Sequence, residues 1–444
     1  MHAPDRSALD TQDRDLVRES DFDVGALAEF VETNVPLLLP EQLTAYETIM
    51  SAIANRTGGL FFLDAPGGTG KTFLISLILA TIRSRKHIAL AIASSRIAAT
   101  LLDGGRTAHS ALKLPLNVQT IEMPTCNLAK NSGMGTVLRT CRIIIWDECT
   151  MAHKKSLEAL DRTLRDFRDC QVPFGGALIM LSGDFRQTLP VIPRGTRADE
   201  INACLKQSTL WRHVQKLTLT TNMRVQLQND TTAARFAAQL LDIGSGRMPI
   251  DRSSQSITLP SDFCTVCSTK ERLIQSVFPD IERNFRNRQW LSKRAILAAK
   301  NCDVNAMNLS IQNKIPGEAK TYKSIDTVID QDEVVNYPTE FLNSLDLPGM
   351  PPHDLTLKLG VPIILLRNLH PPRLCNGTRL AVKNLMNNVI EATILNGKCE
   401  GEDVLLPRIP MIPTDIPFEF KRLQFPVRPA FAMTINKAQG QSMQ

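Results

Sequence analysis

The stretch D-A-P-G-G-T-G-K-T, residues 64–72, decides the fold of this chain. It follows an apolar run from Gly58 to Ala65 that predicts a buried strand. It precedes an amphipathic pattern that predicts a helix from Thr72. A strand, a glycine-rich loop and a Lys-Thr pair that opens a helix are together the context of a phosphate-binding loop. We therefore predict that residues 64–72 hold the phosphates of a nucleotide.

Each part of this loop has a chemical reason to be there. Its three glycines let successive N–H groups turn toward an anion, and the positive end of the helix dipole adds attraction. Lys71 can reach the β- and γ-phosphates, and the hydroxyl of Thr72 can bind Mg²⁺. The usual pattern begins with glycine, whereas this chain has Ala65. Alanine should be tolerated there, because a residue that ends a strand has a negative φ.

Further apolar runs end in polar residues, as the strands of a parallel sheet do when their carboxyl ends meet at one edge. The runs cover residues 87–94, 141–148, 177–184 and 217–224. Asp147 and Glu148 end the second run, and they suit a metal ligand and a base that activates water. Gln187 could contact the γ-phosphate, and Arg224 could neutralise a phosphoryl group in the transition state. Without the loop, each would more often be an ordinary surface residue.

The second half of the chain has a different pattern of predicted strands and helices. It follows a stretch rich in Gly, Ser and Pro at residues 244–260. Residues 294–300 predict another strand, and a helix after it favours a second α/β domain. Between residues 355 and 426 short β-rich segments alternate with turns, and Asn396-Gly397 is a hairpin signal. We predict a small β-barrel inserted in the second domain.

Composition narrows the class of protein. The 444 residues are 43% hydrophobic and 22% charged, which excludes wholesale disorder. No stretch approaches the roughly 18 consecutive apolar residues of a membrane span, and the first twenty residues lack the apolar core of a secretory signal. We therefore expect a cytosolic or nuclear protein. Cys264 and Cys267 have no second cysteine pair nearby, so we expect reduced thiols rather than a zinc site.

The net charge of +6 is unevenly distributed. Residues 1–35 contain nine acidic and three basic side chains, a net charge of −6, which leaves +12 for the rest of the chain. A basic body permits a polyanionic partner, although a solvated basic surface explains the charge equally well. Aromatic residues make up only 5% of the chain, so a grip on nucleic acid should rest on phosphates and weaken with salt.

A series of motifs, taken together, resembles the Pif-one family of DNA helicases, which belongs to superfamily one and is related to RecD and Dda. The series consists of Gln42, G-G-T-G-K-T (67–72), R-T-A-H-S (106–110), W-D-E (146–148), G-D-F-R-Q-T-L-P (183–190), T-N-M-R (221–224) and A-M-T-I-N-K-A-Q-G-Q-S (432–442). The stretches at residues 151–166 and 189–195 are most similar to the branch encoded by Helitron-type transposons.

The resemblance implies an α/β fold of the P-loop NTPase class. Two RecA-like parallel-sheet domains are expected, with a small β-barrel insertion in the second. We place an acidic, poorly ordered arm at residues 1–35 and the first RecA-like domain at residues 36–225, with a small insertion near 111–138. The second domain is expected at residues 226–354 and 426–444, and the β-barrel-like insertion at 355–425.

The same resemblance implies roles for individual residues. The ATP-binding residues are Gln42, Pro66, Gly67, Gly68, Thr69, Gly70, Lys71 and Thr72. The catalytic residues are Lys71, Glu148, Gln187 and Arg224, and the metal ligands are Thr72 and Asp147. The DNA-binding residues are Thr107, His109, Ser110, Thr434, Lys437 and Gln439. For His109 a turn histidine bonded to the backbone is the alternative, which Thr107 and Ser110 beside it make less favoured.

Two departures from the family pattern matter. Arg96 stands where relatives of this kind usually have a small residue. The sequence ends at Gln444, before the short motif in which such helicases carry a second arginine that faces ATP. We expect from this either a fragment of a longer reading frame or a protein without a full catalytic cleft.

The leading hypothesis is an ATP-dependent DNA helicase that hydrolyses ATP to ADP and phosphate with Mg²⁺ as cofactor. The resemblance implies 5′-to-3′ movement on single-stranded DNA, forked DNA as a partner, and roles in DNA recombination, DNA repair and telomere maintenance. We expect a monomer in the nucleus, or in the cytosol if the chain is a transposon remnant without a nuclear signal.

Two other hypotheses remain open. A truncated or decayed transposon-derived helicase would bind ATP and DNA but turn over poorly. A P-loop metabolic kinase is disfavoured, because it would need neither a second α/β domain nor T-I-N-K-A-Q-G.

Overall fold

The computed structural model describes residues 15–192, 195–228, 231–260, 262–329, 336–347, 349–370, 373–397, 399–413 and 418–439. The chain divides into two compact units, Met1–Cys264 and Thr265–Gln444. No helix among the described residues has the length and apolar character needed to cross a bilayer.

The first unit is built on a six-stranded parallel sheet. Its strands are β1 (Gly59–Asp64), β2 (Ala89–Ala93), β3 (Arg106–Thr107), β4 (Ile143–Asp147), β5 (Leu178–Gly183) and β6 (Val214–Thr218). Their order across the sheet is β3-β2-β4-β5-β1-β6, and every pairing is parallel. The central strands β2, β4 and β5 are buried at every position, which explains why their sequences are apolar throughout instead of alternating.

Helices cover both faces of this sheet. In chain order they are α1 (Val24–Asn34), α2 (Pro40–Asn55), α3 (Lys71–Ser84), α4 (Arg96–Leu101), α5 (Ala108–Leu112), α6 (Gly133–Thr140), α7 (Lys154–Phe167), α8 (Arg197–Ala203), α9 (Met223–Gln228) and α10 (Thr231–Gly244). The apolar side chains of α2 and α3 pack on one face, and those of α6 and α7 pack on the other. The predicted α/β class with a parallel sheet covered on both faces is confirmed.

The N-terminal segment differs from the acidic, poorly ordered arm expected from the sequence. Residues 24–34 form α1, which Asp23 caps by accepting a hydrogen bond from the N–H of Ala26. Val31 of α1 is partly buried and packs against the core that α2 and α3 share, so packing orders a segment whose composition is acidic. Asp15 also forms an ion pair with Arg106, with 3.0 Å between the charged atoms.

The second unit combines a short parallel pair with antiparallel sheets. Its helices are α11 (Lys270–Val277), α12 (Ile281–Asn284), α13 (Arg288–Ser292), α14 (Asn301–Lys314), α15 (Thr339–Ser344) and α16 (Ile435–Ala438). Its strands are β7 (Ile296–Ala298), β8 (Lys320–Lys323), β9 (Ile325–Val328), β10 (Asp354–Leu357), β11 (Pro362–Leu365), β12 (Arg379–Leu385), β13 (Val389–Ile394), β14 (Asp403–Pro407), β15 (Ile409–Met411), β16 (Phe420–Gln424), β17 (Val427–Pro429) and β18 (Ala432–Thr434).

Among the described residues of this unit, parallel pairing is confined to β7 and β18. The antiparallel strands form a five-stranded sheet in the order β14-β13-β12-β11-β17, a three-stranded sheet β15-β16-β9 and the pair β10-β8. The predicted hairpin at Asn396-Gly397 is confirmed, since β13 and β14 pair across it and Gly397 has a φ of +100°. One large apolar core holds α14, the five-stranded sheet and β18 together.

Candidate nucleotide and nucleic-acid site

The glycine-rich loop connects the carboxyl end of β1 to the first turn of α3. Gly68 and Gly70 have φ values of +89° and +78°, a region that side chains disfavour, so glycine is required at both positions. Ala65 is buried, and its N–H donates to the carbonyl of Gly183 on β5 over 3.3 Å. Ala65 is absent from the residues with positive φ, which explains why alanine fits where glycine is usual.

Lys71 lies between the two acidic residues that end β4. Its Nζ is 2.8 Å from Asp147 Oδ1 and 2.7 Å from Glu148 Oε1. Burial alone would lower the pKa of Lys71, but the two carboxylates outweigh it and raise the pKa above its usual value. Ser182 donates its hydroxyl hydrogen to the same Asp147 Oδ1 over 2.7 Å. The ammonium, the two carboxylates and this hydroxyl therefore form one polar cluster where the loop meets β4 and β5.

Glu148 has a φ of +49° and a ψ of +38°, the left-handed conformation that non-glycine residues seldom adopt. Such a conformation costs about 1–2 kcal/mol for an L-residue, and strain of this kind concentrates at functional sites. It occurs at the turn that immediately follows β4, next to Asp147. Both carboxylates are nearly buried, with 3% of Asp147 and 9% of Glu148 exposed, so their charges act in a poorly solvated environment.

The first turn of α2 holds the loop from the other side. Gln42 is buried, and its amide donates to the carbonyl of Thr69 over 3.0 Å while its oxygen accepts from the N–H of Leu39. A Cβ on Gly70 would lie 2.5 Å from the amide nitrogen of Gln42. The residue expected to contact adenine therefore supports the backbone of the phosphate loop directly.

Glu41, the neighbour of Gln42, ties α2 to the segment that follows β6. Its carboxylate accepts the N–H of Thr220 over 2.7 Å, the N–H of Thr221 over 3.2 Å, and the hydroxyl of Thr220. These hydrogen bonds lower the pKa of Glu41. β6 ends at Thr218, opposite Asp64 at the end of its neighbour β1, so the prediction of a strand over residues 217–224 is wrong beyond Thr218.

The T-N-M-R segment reaches the loop through Asn222, whose side-chain oxygen would lie 2.5 Å from a Cβ on Gly68. Arg224 belongs to α9 and not to the end of a strand as expected, because the chain has already left the sheet at Thr218. Its side chain lies outside the described residues. The structure thus brings the segment of the predicted arginine to the phosphate loop.

The segment after β5 forms a charged network beside this cluster. Arg186 pairs with Asp184 at 2.5 Å and with Asp64 at 3.0 Å, and Lys216 pairs with Asp64 at 2.8 Å. Gln187 donates to Asp184 over a long 3.4 Å. Gln187 therefore lies on the loop that follows β5, and Asp184 and Arg186 connect that loop to the end of β1.

The two expected metal ligands fit Mg²⁺ in chemistry. Thr72 in the first turn of α3 offers a hydroxyl, and Asp147 offers a carboxylate whose Oδ1 also accepts from Ser182. Mg²⁺ prefers oxygen ligands, and in nucleotide sites it usually takes one or two from the protein and the rest from phosphates and water. Over the described part of the chain, no group of three or more His, Cys, Asp or Glu residues could hold a metal.

The expected DNA-binding residues of the first unit lie at the junction of β3 and α5. Thr107 caps α5 by accepting the N–H of Ser110 over 3.2 Å, so part of its capacity for hydrogen bonds is used locally. His109 is exposed, and its ring has no hydrogen bond to any described residue, so it is not the backbone-bonded turn histidine. The imidazole and the hydroxyl of Ser110 remain at the surface.

The second group of expected DNA-binding residues lies at the end of β18 and in α16. Thr434 is the last residue of β18, and Lys437 lies in α16 just before Gln439. Burial lowers the pKa of Lys437, and the charges of Arg428 and Arg367 lower it further. These residues belong to the second unit, whereas Thr107, His109 and Ser110 belong to the first.

Sequence reasoning assigned no role to four residues of the site, namely Glu41, Ser182, Arg186 and Asn222. All four lie inside motifs that the resemblance used, or directly before one, so their position gave a signal that their residue type did not. The motif gave no sign of the partner of Arg186, because Asp64 lies 122 positions away.

A matched pair of substitutions tests the geometry of the loop. In Gly68→Ala the new Cβ meets Asn222 at 2.5 Å and the backbone has a positive φ, whereas a Cβ at Gly67 has nothing within 4 Å. We expect Gly68→Ala to weaken nucleotide binding at least about tenfold, since the strain alone costs about 1–2 kcal/mol. Gly67→Ala should change it less than about threefold. Titration with a fluorescent ATP analogue measures both, and equal effects would contradict the loop geometry.

Two family models match the chain. The model for PIF1-like helicases matches residues 37–254, and the model for the 2B domain of the DNA helicase Pif1 matches residues 340–385. The ATP-dependent DNA helicase PIF1 of Danio rerio is 26% identical over 415 residues, which cover 92% of this chain and 57% of that protein. The chain thus spans little more than half the length of this relative.

Solved structures show the same fold. The Pif1 helicase of Candida albicans superimposes with a TM-score of 0.62 at 22% identity, covering 92% of this chain and 87% of that one. The Pif1 helicase of Bacteroides in complex with ADP-AlF3 and single-stranded DNA gives a TM-score of 0.59 at 20% identity, covering 90% and 84%. The predicted fold class of two-domain helicases is confirmed by these likenesses.

Proposed function

Because this chain belongs to the PIF1-like helicase family, we propose that it is an ATP-driven DNA helicase that moves along single-stranded DNA. The observation that carries the proposal is the contact of Lys71 with both Asp147 and Glu148 at the carboxyl edge of a parallel sheet. The proposed phosphate loop, metal ligand and base would form the constellation that ATP hydrolysis requires.

In this proposal the ammonium of Lys71 contacts two carboxylates before a nucleotide binds and the γ-phosphate afterwards. Its ammonium lies within 2.8 Å of two carboxylates, so a γ-phosphate that enters the loop competes with them for the same charge. The loop N–H groups and the start of α3 bind the remaining phosphate oxygens. Gln42 supports the loop by its bond to Thr69 and sits at the side of the site where adenine is expected.

Hydrolysis needs a water that attacks the γ-phosphorus and a group that takes its proton. Glu148 is the proposed base, and its left-handed backbone directs the carboxylate toward Lys71 and the loop. Thr72 and Asp147 would hold Mg²⁺, which when bound neutralises charge on the phosphate oxygens. Gln187 is proposed to contact the γ-phosphate and Arg224 to neutralise the transition state, after which ADP and phosphate leave.

DNA is proposed to contact both units. Ser110, Thr107 and the exposed His109 present hydroxyl and imidazole groups that suit a phosphate backbone, and Lys437 supplies a cation in the second unit. Aromatic residues make up only 5% of the chain, which supports binding through the DNA phosphates and not through extensive stacking on the bases. Partners of this kind are supported by the Bacteroides Pif1 structure, which holds single-stranded DNA.

The finer proposals rest on the motif resemblance alone. They are 5′-to-3′ movement, action on forked DNA as a monomer, membership of the Helitron-encoded branch, and a nuclear protein with roles in recombination, repair and telomere maintenance. The residues that support the branch are the stretches at 151–166 and 189–195.

Strand separation tests the proposed function. Two forked duplexes that differ only in whether the loading tail is 5′ or 3′ are incubated with the protein, ATP and Mg²⁺. We expect ATP-dependent release of a strand from the fork with the 5′ tail and little from the other. Release from neither fork, with ATP and DNA still bound, would instead favour a chain that binds both but turns over poorly.

A further inference from the structure

Three cationic side chains of the second unit lie close together, and the sequence assigned a role to one of them, Lys437. Arg428 and Lys437 line one small cavity with Thr434 and Gly349. A guanidinium nitrogen of Arg367 would lie 3.8 Å from a Cβ on Gly349, so the third cation borders the same cavity. We call Arg367, Arg428 and Lys437 the cationic cluster. It comes from three separate parts of the chain, the end of β11, β17 and α16.

The two arginines are held in place by main-chain oxygens. Arg428 donates from Nε to the carbonyl of Met350 over 2.8 Å, and Arg367 donates to the carbonyl of Gly349 over 2.8 Å. Arg367 also donates to the carbonyl of Leu366 over 3.0 Å. These bonds fix the guanidinium groups without neutralising them, because carbonyl oxygens carry only partial charge.

Little negative charge compensates the two arginines among the described residues. Asp346 pairs with Arg428 at 2.7 Å, but 65% of the Asp346 side chain is exposed, so the pair is screened by solvent. Among the described residues no carboxylate pairs with Arg367, which contacts main-chain oxygens and the sulfur of Met350. Burial lowers the pKa of Lys437, and the charges of both arginines lower it further.

Like charges that lie together in a half-buried place repel each other and oppose folding. An anion that binds among them removes this repulsion, so the binding of an anion is favoured there. The small cavity that Arg428 and Lys437 line gives an anionic oxygen, such as that of a phosphate, a place beside these cations. Thr434 on its wall adds a hydroxyl that can donate to such an oxygen. The ligand class indicated is therefore a phosphate group.

We infer that the cationic cluster binds one backbone phosphate of single-stranded DNA, so that Arg367 and Arg428 act with Lys437 as DNA-binding residues. This inference rests on the proposed function. Lys437 and Thr434 belong to the segment expected on the DNA path, whereas the phosphate loop for the nucleotide lies in the first unit. Phosphate of a nucleotide has the same chemistry, and the experiment separates the two sources.

The test measures the salt dependence of single-stranded DNA binding. Each phosphate contact to a single strand contributes about 0.7 to the slope of log affinity against log salt concentration. We expect Arg428→Gln to bind a fluorescent oligothymidylate more weakly at low salt and to reduce the magnitude of this slope by about 0.7. Arg367→Gln should reduce it similarly. Fluorescence anisotropy over a salt series gives the slope for each variant.

Two variants separate charge from packing. Arg428→Lys cannot reproduce the guanidinium hydrogen bonds, but it keeps the positive charge. Because the slope depends on that charge, this variant should keep the slope of the unmodified protein. Arg286→Gln removes an exposed arginine that stacks on Phe285, and it should leave the slope unchanged. A thermal melt of each variant checks that the fold is retained.

Several outcomes would overturn the inference. An unchanged slope in Arg428→Gln would show that no DNA phosphate binds there. Equal losses in Arg428→Lys and Arg428→Gln would assign Arg428 a packing role. A raised KM for ATP with an unchanged slope would assign the cluster to the nucleotide. If the unmodified chain itself failed to bind single-stranded DNA, the proposed function would be contradicted as well. The other three outcomes contradict only the role of the cationic cluster.

Discussion

Glu148→Gln is expected to stop ATP turnover while leaving nucleotide binding nearly intact. Glutamine has the shape of glutamate but cannot accept a proton from water at neutral pH, and a positioned general base contributes about 10²–10⁴-fold to such a reaction. Lys71 keeps its contact with Asp147 at 2.8 Å, so the phosphate loop should keep its structure. We therefore expect kcat to fall by about 10²–10⁴-fold and affinity for an ATP analogue to change less than about threefold.

The control for this variant is Glu122→Gln, which removes an exposed carboxylate from the same unit. Steady-state phosphate release with Mg²⁺ and single-stranded DNA measures kcat for both variants. A Glu148→Gln protein that retained turnover within a few-fold of the unmodified chain would show that another group activates the water. In that case Asp184, which also lies beyond a central strand, would be the next residue to substitute.

Lys71→Ala is expected to lose both nucleotide affinity and turnover. The ammonium is the group of the loop that can stabilise charge on the transferred phosphoryl group, and removal of one such donor costs about 10²–10³-fold in kcat. The substitution also leaves Asp147 and Glu148 side by side and nearly buried, with 3% and 9% exposed. Breaking a buried pair by removing one partner costs about 3–5 kcal/mol, so the variant should also unfold at a lower temperature.

Lys86→Ala serves as the matched control, because Lys86 is exposed in the same unit. Calorimetry separates the two effects of Lys71→Ala by giving its unfolding temperature in the absence of nucleotide. If Lys71→Ala were as stable as Lys86→Ala, the contacts of 2.7 and 2.8 Å would contribute little to stability. If it also hydrolysed ATP normally, the residues around Lys71 would not be the catalytic site.

The sequence could predict those parts of the site that local patterns encode. An apolar run followed by acids, as in residues 141–148, predicts both a buried strand and the edge at which its carboxylates emerge. Parallel strands place such ends together, so Lys71, Asp147 and Glu148 were expected near one another, and the structure places them within 2.8 Å. The α/β class followed from the same patterns.

Contacts between distant segments could not be predicted in this way. Glu41 binds the N–H groups of Thr220 and Thr221, and 179 positions separate Glu41 from Thr220. Nothing in the residues near Glu41 indicates this contact. Similarly, the φ of +89° at Gly68 could be anticipated from a glycine-rich loop, whereas the close approach of Asn222 could not.

Composition gave the wrong expectation where packing against another part of the chain decides the structure. Residues 24–34 belong to a segment with a net charge of −6, yet they form a helix because Val31 packs on the core of α2 and α3 and Asp23 caps the first turn. The domain boundaries stay predictions. The charge of a segment indicates how well water solvates that segment alone. It contains no information about the apolar surface of another part of the chain against which the segment can pack.

The most direct test of the account is steady-state ATP hydrolysis with Mg²⁺, measured with and without single-stranded DNA for the unmodified chain and for Lys71→Ala. A DNA-coupled motor predicts hydrolysis that rises strongly when DNA is added and that disappears in Lys71→Ala. Hydrolysis that is indifferent to DNA, or that survives in Lys71→Ala, would contradict the claim that the cluster of Lys71, Asp147 and Glu148 drives movement along DNA.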